Sequence, residues 1–387
     1  MALSSFSPPH FWKQELSERR SAFTPAIGLC SVVSGACDSM QQRKPFLQLA
    51  VDNPVPFHDH LQTKGKITAM SIPKTCKAQV FEKAGAGLVL KDVPVNEPQA
   101  GEILIKSIAC GVCHSDSAVG AGLMGDVLPR IPGHEVIGDV VAVGPGEKKQ
   151  CNKGLFQMCA NEAINGVSRD GGYSEYVTLR SEAAVTIPKD LDPYETAPLL
   201  CAGVTLFNSV RKMDIERGDI VAVQGLGGLG HLGLQYVRKM GYRTVALSSS
   251  DAKKDFAFKL GATDYIDGSK EDHGEALAKM GGASLIVVTA PNPKIISSLL
   301  NGLGAGGKLL ILAPVGELPI NSVTMILKGL SVHGWPSGHA LDSEEAISFA
   351  QIQGVNCMIE KFPLDKANEA LKHMEEGKVR FRGVLTF

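Results

Sequence analysis

Hydrophobic and polar residues alternate differently in two halves of this 387-residue chain. From Lys77 to about Arg180, short runs such as ILIKSIA and VIGDVVAVG are interrupted by glycine and proline. Short strands bounded by turn residues are typical of a compact β-rich domain. We therefore predict that this half forms mainly strands.

From Thr205 to about Gly334, apolar and β-branched runs alternate with helical stretches. The runs are DIVAVQG, RTVALSS, SLIVVTA and GKLLILAP. Strands that are apolar throughout and alternate with helices indicate a parallel sheet covered on both faces. The predicted fold class is α/β, with a β-rich domain and a doubly wound domain.

Residues 1–69 mix serine, proline and scattered charge without a sustained period. We predict that they form a disordered extension and that the folded part of the chain begins near Met70. Arg19 and Arg20 leave a transit peptide as an alternative, which Glu15 and Glu18 weaken because such peptides are poor in acidic residues.

Composition narrows the class of partner and the compartment. With 39 basic and 40 acidic residues, the formal net charge is -1, which favours neither nucleic acid nor a membrane surface. No apolar run approaches the roughly 18 residues of a membrane helix. Nine cysteines, an odd number in a long chain, fit a reducing compartment better than a disulfide framework. We predict a cytoplasmic protein.

Three short motifs supply metal ligands. GVCHSD, PGHE and LLCAG carry Cys113, His134 and Cys201. Structural zinc sites close the tetrahedron with four protein ligands, whereas two thiolates and an imidazole leave a position for substrate. Zn²⁺ in such a site polarises a carbonyl or alkoxide oxygen. The set predicts an open, catalytic zinc site.

A glycine motif follows the first strand of the second half. Gly225, Gly227 and Gly230 form GxGxxG, with Gly228 inside it, between a strand and a helix. Such glycines allow the backbone N–H groups at the head of the helix to approach a pyrophosphate. A merely tight turn is the alternative, and the strand and helix context favours nucleotide binding.

The end of the second strand predicts the choice of cofactor. Ser248, Ser249 and Ser250 stand where an acidic residue would bind the ribose 2′-OH of NAD. Hydroxyls followed by Lys253 and Lys254 suit a 2′-phosphate, so NADP(H) is favoured over NAD(H). An ordinary solvated helix face remains the alternative for the lysines.

Together these motifs resemble a known family. GVCHSD, PGHE, DGGYSEYV, LLCAGVT, GLGGLG and LGATDYID occur in the order found in zinc-dependent medium-chain alcohol dehydrogenases, over about Lys77 to Phe387. The resemblance implies a GroES-like catalytic domain at 70–203, to which 335–387 return, and a Rossmann domain at 204–334. It further implies a small or aromatic alcohol or aldehyde substrate and a homo-oligomer, a dimer or tetramer.

The resemblance also implies roles for the metal ligands. Cys113, His134 and Cys201 would hold one catalytic zinc ion, and Glu135 would be a nearby carboxylate that exchanges with bound water. Asp116 would hydrogen-bond His134 and fix its tautomer.

Further roles concern the proton and the cofactor. Ser115 would take the substrate proton and Thr205 would touch the nicotinamide, while His114 and Arg382 would contact the pyrophosphate. In the family a histidine ends the proton relay, but Ala118 stands at that position. The proton would therefore pass from Ser115 and the ribose directly to water.

The chain departs from the family after Glu147. Only Cys151 and Cys159 remain of a four-cysteine lobe, and about 20 to 25 residues are missing, so two thiolates cannot close a structural zinc site. A nucleotide-binding protein without catalysis, a truncated or misspliced form, therefore stays open as an alternative. A zinc-free quinone or enoyl reductase is disfavoured because it has no use for Cys113, His134 and Cys201 together.

Overall fold

The structure is a computed structural model that describes residues 72–145, 163–318 and 320–387. The predictions about residues 1–69 and about Cys151 and Cys159 concern positions outside these ranges. Within them the strands are β1 (Thr75–Val80), β2 (Val89–Pro94), β3 (Glu102–Gly111), β4 (Val136–Val143), β5 (Tyr176–Arg180), β6 (Ile220–Gln224), β7 (Arg243–Ser248), β8 (Asp264–Asp267), β9 (Ala283–Val288), β10 (Leu303–Ile311), β11 (Ser331–Gly334), β12 (Ile359–Pro363) and β13 (Arg382–Thr386). The α-helices are α1 (His114–Gly120), α2 (Pro193–Thr196), α3 (Ala202–Arg211), α4 (Gly230–Lys239), α5 (Lys254–Lys259), α6 (His273–Lys279), α7 (Ile296–Asn301), α8 (Ser322–Lys328), α9 (Ala340–Gln353) and α10 (Ala367–Glu375).

The second half forms a six-stranded parallel sheet in the order β11-β10-β9-β6-β7-β8. Both faces are covered, because Val221 and Val223 enter one apolar core while Ala222 enters another. The order reverses between β6 and β9, and ligands of doubly wound sheets bind at such a switch point. The predicted α/β class with a doubly wound domain is confirmed.

The first half forms a smaller, mainly antiparallel sheet around the long strand β3. One edge of β3 pairs with β4. The other edge pairs with β5 near Glu102 and with β13 near Gly111. The β12 strand joins β13 in parallel. The C-terminal strand thus returns to this sheet, with Val384 opposite Gly111.

Helix α9 packs elsewhere before the chain returns. Its Phe349 ring lies 5.2 Å from Phe207 of α3 and 5.9 Å from Tyr236 of α4. Asn208 donates hydrogen bonds to the Ser337 carbonyl and to Asp342, at 3.0 and 3.2 Å. The 340–353 helix therefore packs with the core of the six-stranded sheet. Among the described residues, no helix is long and apolar enough to cross a membrane.

Candidate active site

Four side chains from three separate segments converge where the two sheets meet. Cys113 precedes α1, His134 and Glu135 precede β4, and Cys201 precedes α3. Their ligand atoms all lie within 4.8 Å of one another. Tetrahedral zinc holds thiolates at about 2.3 Å and imidazoles at about 2.0 Å, so atoms this close can share one ion. The donor set fits zinc.

The two sulfur atoms affect each other's titration. Contact with the Cys201 thiol lowers the pKa of Cys113 well below its usual value, and the same contact raises the pKa of Cys201. Metal ligation requires both sulfurs as thiolates, so binding of zinc would release any proton that the two thiols carry.

His134 lies beside a buried carboxylate. Its Nδ1 atom is 3.4 Å from Asp116 Oδ1, without the alignment of a hydrogen bond. Burial lowers the pKa of His134, but Asp116 and Cys113 raise it by more, so the net direction is upward. Because a metal binds the neutral imidazole, zinc would compete with protonation of His134.

Asp116 connects the segments that carry the ligands. It accepts hydrogen bonds from the backbone N–H groups of Cys113 and Gly133, at 2.9 and 3.1 Å. The buried Tyr173 hydroxyl donates a third, at 3.0 Å. Tyr173 lies in the DGGYSEYV motif, but the motif alone predicts no role for it.

Glu135 pairs with Arg382 inside the protein. The carboxylate is fully buried and Arg382 is 4% exposed. The Arg382 Nη2 atom donates to Glu135 Oε2 at 2.7 Å and to the Val112 carbonyl at 3.0 Å. A Cβ at Gly111 would lie 1.8 Å from Glu135 Oε2, so only glycine fits there.

The charges of this pair oppose their burial. Burial raises the pKa of Glu135 to about 7, against the lowering effect of Arg382. Burial lowers the pKa of Arg382, while Glu135 and the neighbouring thiols raise it by more. Removing either partner would leave a buried, unpaired charge, which is strongly destabilising.

At three of the four glycines in the motif after β6, the backbone conformation or a neighbouring protein atom disfavours a larger residue. Gly225 has φ +91°. A Cβ on Gly230 would lie 1.7 Å from the Gly225 carbonyl oxygen, and one on Gly228 would lie 2.8 Å from Arg382 Cδ. A Cβ on Gly227 would meet nothing within 4 Å. The space beside Gly227 is therefore open to a ligand.

The predicted 2′-phosphate residues occupy different surroundings. Ser248 is buried at the end of β7 and Ser249 is exposed. The Gly225 N–H donates to the Leu247 carbonyl at 3.0 Å. This bond places the end of β7 beside residues 225–230, which we call the glycine turn. Lys253 Nζ donates to the Leu226 carbonyl at 2.8 Å, so its ammonium is already engaged.

The remaining predicted residues lie around the cluster or the turn. Ser115 Oγ is 3.8 Å from Cys113 Sγ. Thr205 is buried on α3, where its N–H donates to the Cys201 carbonyl at 2.9 Å. His114 is exposed at the start of α1, and Ala118 is half-buried on the same helix.

Family models match both halves. The alcohol dehydrogenase GroES-like domain matches residues 99–189, and the zinc-binding dehydrogenase domain matches residues 228–351. The first match contains strands β3, β4 and β5 of the β-rich sheet, and the second contains strands β7 to β11 of the parallel sheet.

Curated relatives cover about four fifths of the chain. The alcohol dehydrogenase patD of Penicillium expansum is 53% identical over 338 residues, covering 82% of this chain and 99% of the relative. That length exceeds what 82% of a 387-residue chain supplies, so the relative has residues for which this chain has none. An alcohol dehydrogenase of Geobacillus stearothermophilus is 36% identical, covering 80% of this chain and 98% of the relative.

Solved structures agree with the fold. A cinnamyl alcohol dehydrogenase of Sorghum bicolor has a TM-score of 0.73 and 28% identity, covering 81% of this chain and 98% of that one. An alcohol dehydrogenase of the archaeon Aeropyrum pernix has a TM-score of 0.74 and 25% identity, covering 80% and 100%. From its motifs, its two sheets and these relatives, the chain belongs to the zinc-type medium-chain alcohol dehydrogenase family.

Proposed function

We propose that this protein is a zinc-dependent alcohol dehydrogenase or aldehyde reductase that prefers NADP(H) over NAD(H). The observation that carries the proposal is the convergence of two thiols, an imidazole and a carboxylate within 4.8 Å. The glycine turn is connected to this cluster through Arg382, which packs beside Gly228 and pairs with Glu135.

Cys113, His134 and Cys201 would hold the zinc, which supplies Lewis acidity toward an alkoxide or carbonyl oxygen. The Asp116 carboxylate connects the segments that carry Cys113 and His134, because it accepts hydrogen bonds from the backbone N–H groups of Cys113 and Gly133. The charge of Glu135 is balanced by Arg382, which favours Glu135 as a neighbour that exchanges with water over a permanent fourth ligand.

Ser115 is proposed to take the proton of the alcohol. Its hydroxyl lies beside the Cys113 sulfur and on the half-buried face of α1. Ala118 has no titratable group, so the proton passes to water without a second protein base. General acid–base steps contribute roughly 10² to 10⁴ to a rate, and the shortened relay slows turnover at low pH without abolishing it.

The cofactor is proposed to lie along the switch point, with its diphosphate on Gly225, Gly227, Gly228 and Gly230. Thr205 would contact the nicotinamide, and His114 and Arg382 the diphosphate. Ser248 and Ser249 would face the 2′-phosphate. Lys254, which is exposed beside them, is the more available lysine, because Lys253 is bonded to Leu226.

The substrate is proposed to be a small or aromatic alcohol and its aldehyde. The similar Sorghum protein is a cinnamyl alcohol dehydrogenase, which favours aromatic aldehydes as one class of substrate. Location in the cytoplasm stays a prediction from cysteine content.

We further propose that the chain forms a homo-oligomer through α8. Val323, Ile326 and Leu327 on this helix are 61%, 78% and 79% exposed. The neighbouring β11 pairs only with β10 among the described strands, so its outer edge can take another strand. Exposed apolar faces of this kind mark interaction sites. Ile326→Asp should reduce the mass seen by light scattering, whereas Ile352→Asp on α9, also exposed, should not.

The central test combines metal analysis with an aldehyde screen. We expect about one zinc per chain and faster turnover with NADPH than with NADH, and we expect Cys113→Ala to abolish both metal and turnover. Ser248→Asp should shift preference toward NADH by placing a carboxylate beside the 2′ position. Full activity in metal-free protein would contradict the zinc assignment. Nucleotide binding without zinc or turnover would instead favour the non-catalytic alternative.

A further inference from the structure

Two side chains contact two successive backbone carbonyls of the glycine turn, those of Leu226 and Gly227. Lys253 Nζ donates to the Leu226 carbonyl at 2.8 Å. His231 Nδ1 lies 3.3 Å from the Gly227 carbonyl, which also accepts from the His231 backbone N–H at 3.1 Å. Neither contact belongs to the ladder of β6 or to the regular hydrogen bonds of α4.

The surroundings of His231 select one tautomer. Its Nε2 atom accepts from the Met358 N–H at 3.4 Å, so Nδ1 carries the proton that is donated to Gly227. The side chain is fully buried, and burial, together with Arg382, lowers its pKa to about 4. The imidazole is therefore neutral and keeps this donor throughout the neutral range.

Phe381 holds both side chains in place. Its ring stacks on His231, with centroids 4.7 Å apart and planes inclined by 13°. The Lys253 ammonium lies 5.9 Å from the centroid of the same ring, within the range of a cation–π contact. Because Phe381 directly precedes Arg382 in β13, the glycine turn is supported from the catalytic sheet.

Fixing a carbonyl also fixes the N–H of the same peptide. In a trans peptide plane the C=O and N–H bonds point in opposite directions. With the Leu226 and Gly227 carbonyls held by Lys253 and His231, the Gly227 and Gly228 N–H groups point away from them. Within the described ranges, neither N–H has a protein acceptor.

We infer that Lys253 and His231 are positioning residues that orient the Gly227 and Gly228 N–H groups toward the cofactor diphosphate. The inference rests on the proposed binding of a nicotinamide dinucleotide at this turn. It makes Lys253 a determinant of affinity for NADH and NADPH alike, because both carry the diphosphate. Discrimination of the 2′-phosphate is then left to the serines and Lys254.

The test measures dissociation constants for NADH and NADPH by nicotinamide fluorescence on the zinc-loaded protein. Lys253→Met keeps the aliphatic stem over Phe381 and removes the donor. We expect both constants to rise by the same factor, about tenfold, which corresponds to about 1.4 kcal/mol. The matched control Lys254→Met should raise the constant for NADPH alone.

Unchanged binding of both cofactors by Lys253→Met, or a loss confined to NADPH, would overturn the inference. His231 gives a second test: His231→Asn keeps an N–H donor at the position of Nδ1 and should bind within about threefold of wild type, whereas His231→Leu should match Lys253→Met. If circular dichroism shows that His231→Leu is unfolded, the Lys253 pair decides. A wild type that binds neither cofactor would refute the proposed function itself, a result distinct from a wild type and Lys253→Met that bind equally.

Discussion

Glycine serves two different purposes among the residues of the site. Gly111 and Gly230 leave room for protein atoms, because a Cβ on either would lie within 2 Å of an oxygen of Glu135 or Gly225. Gly227 leaves room that no described protein atom fills. The same residue type thus indicates packing at two positions and a ligand at the third.

Gly227→Ala should therefore weaken cofactor binding and leave the fold intact. The added methyl group meets open space and should change the free energy of unfolding by less than about 1 kcal/mol, while it obstructs the approach of a diphosphate. Urea unfolding and a cofactor titration on the same sample measure both effects. Gly230→Ala is the control, which should destabilise the fold itself. Wild-type cofactor affinity in Gly227→Ala would show that the open space is not the diphosphate site.

His231 should make stability sensitive to acid. Its folded pKa of about 4 lies below the ordinary 6.5, so between these values only the unfolded chain takes up the proton. The free energy of unfolding therefore falls as the pH falls, by about 1.6 kcal/mol between pH 6.5 and pH 5 from this group alone. His231→Gln should show a correspondingly smaller loss in urea titrations at the two pH values. Equal losses in both proteins would contradict a buried neutral imidazole.

The candidate ligands could be identified from the sequence because each lies in a short motif. Cys113, His134 and Cys201 each have a side chain that can bind zinc, and each motif can be recognised however far apart the three lie in the sequence. The partner of Glu135 could not be derived in this way, because Arg382 is 247 positions away and an arginine pairs with carboxylates or phosphates equally well. Only the fold shows that its guanidinium reaches Glu135.

At the scale of elements, the parallel strands could be predicted from the sequence, but the packing of helices such as α9 could not. Apolar runs such as DIVAVQG identify buried strands, since both faces must be apolar under helices. Helix α9 has no such signature for its neighbours, and the structure shows it packed on α3. The hydrogen bonds of Asp116 likewise connect Cys113, Gly133 and Tyr173, and no local sequence pattern relates these three positions.

Asp116→Asn should loosen the zinc site without unfolding the protein. The amide keeps the shape but replaces a carboxylate oxygen that accepts from the Gly133 N–H or the Tyr173 hydroxyl. Partners that orient metal ligands are worth about 10- to 100-fold in metal affinity, and we expect a loss in that range in a chelator competition assay. Tyr173→Phe removes one hydrogen bond to the same carboxylate and should lose less. Zinc affinity equal to wild type in Asp116→Asn would show that Cys113 and His134 keep their positions without the Asp116 carboxylate.

At the scale of the whole molecule, the candidate active site lies at the junction between the two sheets. Cys113 follows the central strand of the small sheet, and Cys201 begins the helix that packs under the parallel sheet. Arg382 connects Glu135 of the candidate zinc site with Gly228 of the glycine turn. Disturbance of the small sheet should therefore affect metal and cofactor binding together.

The segment between Gly144 and Ala163 allows a direct test of that dependence. It connects β4 to the segment that leads into β5, and β4 pairs only with β3 among the described strands. Replacing residues 146–162 by the corresponding segment of the Penicillium expansum relative should raise thermal stability, zinc content and turnover together, since buried backbone groups without partners cost about 1 to 3 kcal/mol each. A replacement of equal length made of glycine and serine controls for the cut itself. If the relative's segment improves none of the three properties, the shorter connection is compatible with a complete active site.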